Sequence, residues 1–364
     1  MKQKKFIKII SGVFVALMAV VAISFYLALP INAYVETPGE ADDINQFMTV
    51  AGKHDKTKGS LRLVSVYLSE ANHFYWLISK FDSRYSIEPK EDVQGNVSDE
   101  VYATISEYQM KTAILSAEEV AFKAAGMSDK IKSNYLGIYV ATITKNSHFA
   151  KKIKIGDTIT KIDGLHFDNA SGFQKYLATV PLGKTVTLTV LRHNRTLALS
   201  GKTIHLANTV SKDYPKGRNG IGISLVDNVE VTTSPKVNVN VGEISGPSGG
   251  LMFTLQLYSQ LSGENIKKGR NISGTGTIDD KGDVGEIGGI DKKIIAAQEA
   301  GSTIFFSPYV KATKANMKLD GGKTNWQTAV AAQKKYAPKL KLVPVRNFQD
   351  ALNYLETGKI INTK

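Results

Sequence analysis

Ser248 stands inside Gly246-Pro247-Ser248-Gly249-Gly250. This matches G-x-S-x-G, a pattern in which a serine on a sharp strand-to-helix turn attacks a carbonyl. Such a hydroxyl is a weak nucleophile until a base takes its proton. In the α/β-hydrolase order that base is a histidine following the serine along the chain. Here His54, His73, His148, His166, His193 and His205 all precede Ser248. The chain has no cysteine, which excludes thiol catalysis, thiolate metal sites and disulfides.

Lysine is the remaining base, and it must be neutral to act. Burial can lower a lysine pKa to ~5–6. The stretch "GEIGGIDKKIIAAQEAG" (285–301) offers one on an apolar face. In a helix following Gly288-Gly289 and capped by Asp291, Ile290, Lys293, Ile294 and Ala297 share a face. Lys292 falls nearer Glu299, on the polar side. Periodicity alone leaves Lys293 equally readable as an ordinary first-turn surface lysine.

The elements that would position these residues follow from pattern. Residues 206–360 have an α/β texture, with strands in "GIGISLVDN" and "KVNVNVGEI". Leu251, Met252, Leu255, Tyr258 and Leu261 recur on one helical face over 248–261, and Gly263 marks its end. Ser248 is therefore expected at a helix N-terminus, where unsatisfied N–H groups can hold an oxyanion. Upstream, 36–58 is polar and turn-rich and reads as a linker. "GSLRLVSVYL" (59–68) reads as a strand. Helical spacing runs from Asp99 to Gly126.

Residues 116–205 form a compact β-rich unit. It has a strand at 135–143, two short strands about Asp163-Gly164, a helix capped by Asn169, and a period-two strand at 184–192. Ala178 to Thr185 fits a loosened phosphate-loop pattern. A helix precedes it and a strand follows, the reverse of a phosphate-binding turn, so nucleotide binding is rejected.

The formal charge is +13. Lysines are scattered and no nucleic-acid motif accompanies them, so the basic surface fits an anionic envelope rather than nucleic acid. Residues 1–8 carry lysines, and 9–29 is an uncharged run close to the ~20 residues that span a bilayer. It exceeds the ~7–15 residues of a secretory signal's apolar stretch, and Ile31 spoils a small-x-small cleavage site. The expectation is an uncleaved anchor, with a cytoplasmic N-terminus and the remainder outside.

Two resemblances enter on these residues. The succession Tyr135-Leu136-Gly137-Ile138, "KIGDTITKIDG" (154–164), helix and closing strand resembles a PDZ domain. It implies that Tyr135, Leu136, Gly137 and Ile138 offer backbone N–H groups to a peptide terminus, with β-augmentation on the strand that follows. "GPSGG", the helix after it, and "GTGTIDDKGDVGEIGGIDKKIIAAQEAGSTIFFSP" resemble the proteolytic domain of Lon-type serine proteases. That resemblance implies Ser248 as nucleophile, Lys293 as general base and Thr275 as a supporting hydroxyl. Gly249 stands where the family often has alanine. Ser245 stands where many relatives have an acid, so no carboxylate role transfers.

The expected fold is α+β: a transmembrane helix, a PDZ-like domain over 116–205 and a Lon-type α/β proteolytic domain over 206–360. Residues 30–115 are expected as an extracytoplasmic linker and strand/helical region. Together these features resemble the PDZ–Lon proteases of Gram-positive bacteria. They imply an ATP-independent, cofactor-free Ser-Lys endopeptidase on the outer side of the cell membrane. Its partners would be peptides or exported proteins, such as a competence signalling peptide, with no nucleotide or nucleic acid and the homo-oligomeric state left open. A catalytically inert PDZ adaptor is the alternative. A signal-peptidase-like Ser-Lys enzyme would carry its serine much closer to the membrane segment than Ser248.

Overall fold

The computed structural model describes residues 2–95, 97–193, 195–206, 217–313 and 322–363. Helix α1 (Lys2–Ala28) contains Ile10–Ala28, long and apolar enough to cross a membrane, a pattern shared by spans and signal sequences.

After α1 come strand β1 (Pro30–Asp43), strand β2 (Ser60–Asn72), helix α2 (His73–Ile78), strand β3 (Ser86–Pro89) and helix α3 (Asp99–Ala124). Ser98 caps α3, and Gly126, at φ +72°, follows its end. The expected linker over 36–58 is corrected here, because its first part is strand. Glu36, Thr37 and Pro38 pair with Leu68, Tyr67 and Val66, the register shift between Pro38 and Ala41 absorbs the turn residues without ending the pairing, and Ile44, Met48 and Val50 further along are buried.

β1 and β2 join a six-stranded sheet with β9 (Asn271–Gly274), β10 (Ile304–Pro308) and β11 (Lys341–Val345), in the order β11-β10-β9-β2-β1-β3. β2, β9, β10 and β11 run parallel, whereas β1 is antiparallel to both neighbours. Side chains alternate across it. Leu61, Leu63, Ile304 and Phe306 enter a core with helices α3, α5 (Gly250–Ser262) and α8 (Phe348–Thr357). Val64 and Phe305 enter a second core with α6 (Ile290–Glu299) and α7 (Asn325–Tyr336) on the opposite face. Residues 30–115 therefore supply half of the sheet that carries the site, which revises their expected separation from 206–360.

The β-rich unit is inserted between α3 and α5. It is a five-stranded antiparallel sheet, β8-β4-β5-β6-β7. The strands are β4 (Ile131–Ile143), β5 (Thr158–Ile162), β6 (Thr185–Arg192), β7 (Arg195–Lys202) and β8 (Ile223–Thr233). Helix α4 (Ala170–Thr179) packs on its own core of Phe149, Phe173, Leu177 and Leu188. Asn169 caps α4 by accepting from the Gly172 N–H. The long ribbon of β4 with β8, from Ile131↔Thr233 to Ile143↔Ile223, leads out of and back into the larger unit.

Candidate active site

Ser248 lies in a single 3-10 turn, Pro247–Gly249, that runs into α5. Helix α5 is buried on every side from Gly250 through Ser259, whereas its apolar spacing suggests one buried face only. Gly250 is required by close approach, since a Cβ there would stand 2.9 Å from the Ile278 backbone nitrogen. Two hydrogen bonds pin the turn to β9's C-terminal extension: the Gly276 N–H donates to the Ser248 carbonyl at 2.8 Å, and Leu251 N–H to the Gly276 carbonyl at 3.2 Å.

Lys293 sits in the first turn of α6, whose start is fixed by Gly289 in the left-handed conformation, φ +66°. Asp291 does not cap this helix; the N-cap is Gly289, which makes no side-chain cap bond. The Lys293 side chain is buried, 3% exposed. Its Nζ is 2.7 Å from Ser248 Oγ and 3.2 Å from Thr275 Oγ1. Thr275 Oγ1 in turn donates to the Ser248 carbonyl at 3.1 Å. A hydroxyl has one proton, so Thr275 receives an N–H from the amine. The amine's lone pair is then free to face Ser248 Oγ–H.

Burial pushes the Lys293 amine down to about 8, opposed by the nearby Glu36 carboxylate. Burial pushes the Glu36 carboxyl up to about 7, against the attraction of Lys292. Sequence spacing gave no signal for Glu36, which lies on β1 and reaches the site only through the sheet. A Cβ on Gly289 would meet its Oε1 at 2.4 Å, so glycine here also leaves room for the carboxylate.

Lys292 corrects the helical-face reading. It is 1% exposed, not solvated, and its Nζ reaches Ser86 Oγ at 2.6 Å and Asp291 Oδ2 at 2.6 Å. β3 and β1 cover the face that periodicity assigns to solvent. The adjacent lysines are thus both buried, one ion-paired and one facing a hydroxyl.

Two cavities, of about 710 and 490 Å³, meet at Ser248 and Lys293. The smaller follows Leu63 to Leu68 of β2, opposite Met110 and Ile244. On that edge β2 pairs with β9 only over Ser60–Leu63. Among the described residues, Val64–Leu68 have no strand partner there, and the open edge ends at Ser248.

The other predicted residues lie elsewhere. Tyr135, Leu136, Gly137 and Ile138 are inside β4, where Tyr135 pairs with Val229, Gly137 with Asn228 and Ile138 with Asp227. The edge expected to accept a peptide is therefore occupied by β8. Helix α3 touches both units: Tyr108 stacks on Tyr139 at 3.7 Å and donates to the Asp227 carbonyl at 2.5 Å. The Ser106 carbonyl accepts from the Gly246 N–H at 2.9 Å.

The PDZ domain family matches residues 124–203, and the Lon protease (S16) C-terminal proteolytic domain matches 227–317, which includes Ser248, Thr275 and Lys293. The chain carries a PDZ domain and a Lon-type proteolytic domain. Lon protease 2 of Syntrophobacter fumaroxidans is 29% identical over 147 residues, 40% of this chain and 16% of that protein. The serine protease Do-like HtrA of Lactobacillus helveticus is 37% identical over 75 residues, 20% of this chain and 18% of that protein. The matched stretches thus span less than a fifth of either relative. The PDZ domain of an SdrC-like protein from Listeria monocytogenes is 30% identical, covering 26% of this chain and 93% of that one, with a TM-score of 0.23. The proteolytic domain's family match begins within β8, whereas its sheet in this chain also includes β1, β2 and β3.

Proposed function

We propose that the chain is an ATP-independent serine endopeptidase, anchored by α1 with its catalytic unit on the outer side of the cell membrane. The observation that carries the chemistry is the 2.7 Å approach of Lys293 Nζ to Ser248 Oγ in a buried setting. With a pKa near 8, roughly a tenth of Lys293 is neutral at pH 7. The neutral amine takes the Ser248 proton as Oγ bonds to the scissile carbonyl carbon. The carbonyl electron pair moves to oxygen, where the Ser248 N–H at the helix start is the donor at hand; the Gly246 and Gly250 N–H groups are engaged by Ser106 and Pro247. The tetrahedral intermediate collapses, the C–N bond breaks, and Lys293 gives the proton to the leaving amine. Water then gives a proton to Lys293 and adds to the ester carbonyl; the carbon–Oγ bond breaks and Lys293 returns the proton to Ser248 Oγ. Thr275 keeps the lysine aimed throughout.

The open β2 edge supports binding of an extended substrate by backbone pairing. Peptides or exported proteins are the substrate class; trimming of a competence signalling peptide is the specific case suggested by the resemblance to PDZ–Lon proteases of Gram-positive bacteria. For the PDZ domain, β8 in the groove supports a role as a lever on α3 rather than as a recruiting site. Peptide capture at Tyr135–Ile138 requires β8 to leave.

The test is digestion of an unfolded peptide mixture by the full chain in detergent, with new termini counted by mass spectrometry. New termini with the unmodified chain, and their loss in Ser248→Ala, are expected. Equal cleavage by Ser248→Ala overturns the reading.

A further inference from the structure

Outside α1, nine large apolar side chains are exposed among the described residues, and four of them, Phe74, Trp76, Leu77 and Phe81, fall within eight positions. Singly scattered exposed apolar residues need no explanation, but such a cluster marks a contact surface. It is built rather than frayed. Asn72 caps α2 by accepting from the Tyr75 N–H at 3.0 Å. Tyr75 turns inward onto the small core of Ala33, Val35 and Ala71, leaving Phe74, Trp76 and Leu77 outward.

The cluster is fixed to the end of the apolar helix. His73 N–H donates to the Leu29 carbonyl at 3.3 Å, the His73 ring nitrogen Nδ1 lies 3.0 Å from the same oxygen, and the His73 ring packs on Tyr26 at 4.4 Å. Pro30 pairs with Asn72 at the base of the β1–β2 ribbon. The aromatic surface therefore begins where the bilayer-length run ends. Lys80, whose Nζ lies 5.0 Å over the Trp76 ring, adds positive charge to this surface. Aromatic rings with nearby lysines suit the headgroup region, where an apolar body and a polar tip are both accommodated.

We infer that α2 and Phe81 form a membrane-interface collar, seated in the headgroup region of the leaflet from which α1 emerges. This rests on reading α1 as a span. The collar resists tilting of the catalytic unit about its single tether. Glu36, at the active-site cavity, is six residues along β1 from Pro30. At ~3.3 Å per residue, the cavity is held within roughly 20 Å of the leaflet.

The chain has two tryptophans, Trp76 and Trp326. The full chain carrying Trp326→Phe is reconstituted into vesicles of phosphatidylcholine and phosphatidylglycerol, with or without bromine on the acyl chains next to the headgroups. The expected result is at least twofold quenching of Trp76 emission by the brominated lipid, with little quenching by aqueous iodide. Phe81→Ser with Leu77→Ser should reduce the lipid quenching and raise the iodide quenching. If α1 is protected from added protease but Trp76 is quenched only by iodide, the collar is wrong while the anchor stands. If α1 is digested, the anchored reading and the collar both fall. Shielding of Trp76 from iodide that disappears as the protein-to-lipid ratio is lowered assigns the patch to a second copy instead.

Discussion

The two units each set a strand edge beside a helix, and they treat that edge oppositely. In the proteolytic unit the β2 edge at Val64–Leu68 is open and leads to Ser248. In the PDZ unit the β4 edge is filled along its length by β8. An unpaired edge offers a row of backbone donors and acceptors to an extended chain. A filled one has none to offer, and a strand held in the same chain competes at high effective concentration against any free peptide. On the proposed function, peptide pairing belongs to the catalytic edge and the PDZ unit is a fixed arm on α3. The same α3 holds the loop before Ser248 through Ser106.

The largest expected effect removes chemistry from the open edge. Lys293→Met and Ser248→Ala should each lower kcat by at least ~10³-fold with the fold retained, and the double variant should be little worse, because the pair acts as a unit. Lys292→Met should do the opposite. Steady-state assays should find its activity per folded molecule largely kept, while denaturant titration finds a loss of about 1–3 kcal/mol from the Asp291 and Ser86 partners left behind.

Leu68→Arg places a charged side chain in the groove without touching Ser248. It should raise KM about tenfold while changing kcat much less, since it removes binding common to ground and transition states. An unchanged KM would mean that substrates avoid this edge.

The pH profile should be smaller but diagnostic. Burial lowers the Lys293 pKa to about 8, so kcat/KM should rise with pH through a midpoint near 8 as the base form is populated. Glu36 opposes that lowering, so Glu36→Gln should move the midpoint to lower pH, by less than about one unit. A shift to higher pH would contradict the assigned electrostatics.

The smallest effect belongs to the filled edge. The free peptide GIGISLVD, copying Gly220–Asp227, should change kcat/KM by less than about twofold, because β8 in place outcompetes it. A large change would show that the groove opens readily and that the two edges are equivalent.

Much of the site was legible because its signals are local. The glycines around Ser248, the helix after it and the Gly-Gly before Lys293 are short-range patterns, and the structure brings Ser248, Thr275 and Lys293 within hydrogen-bond reach. What was hidden arises from long-range pairing. Lys292 reads as solvated because periodicity cannot know that β1 and β3 cover its face. Glu36 sits in a stretch resembling a linker, and only the β1–β2 ribbon carries it to α6. Likewise, nothing in the alternation of β4 reveals that β8, some ninety residues on, fills its edge.

The most direct test of the central claim is activation of one hydroxyl by one amine. The full chain is treated with a peptidyl fluorophosphonate, which phosphonylates an activated serine with loss of fluoride, and the labelled residue is located by mass spectrometry. The account predicts a single adduct on Ser248, forming faster as pH rises through about 8, and at least ~10²-fold slower in Lys293→Met. Labelling of a different residue, or an equal rate in Lys293→Met, would contradict it.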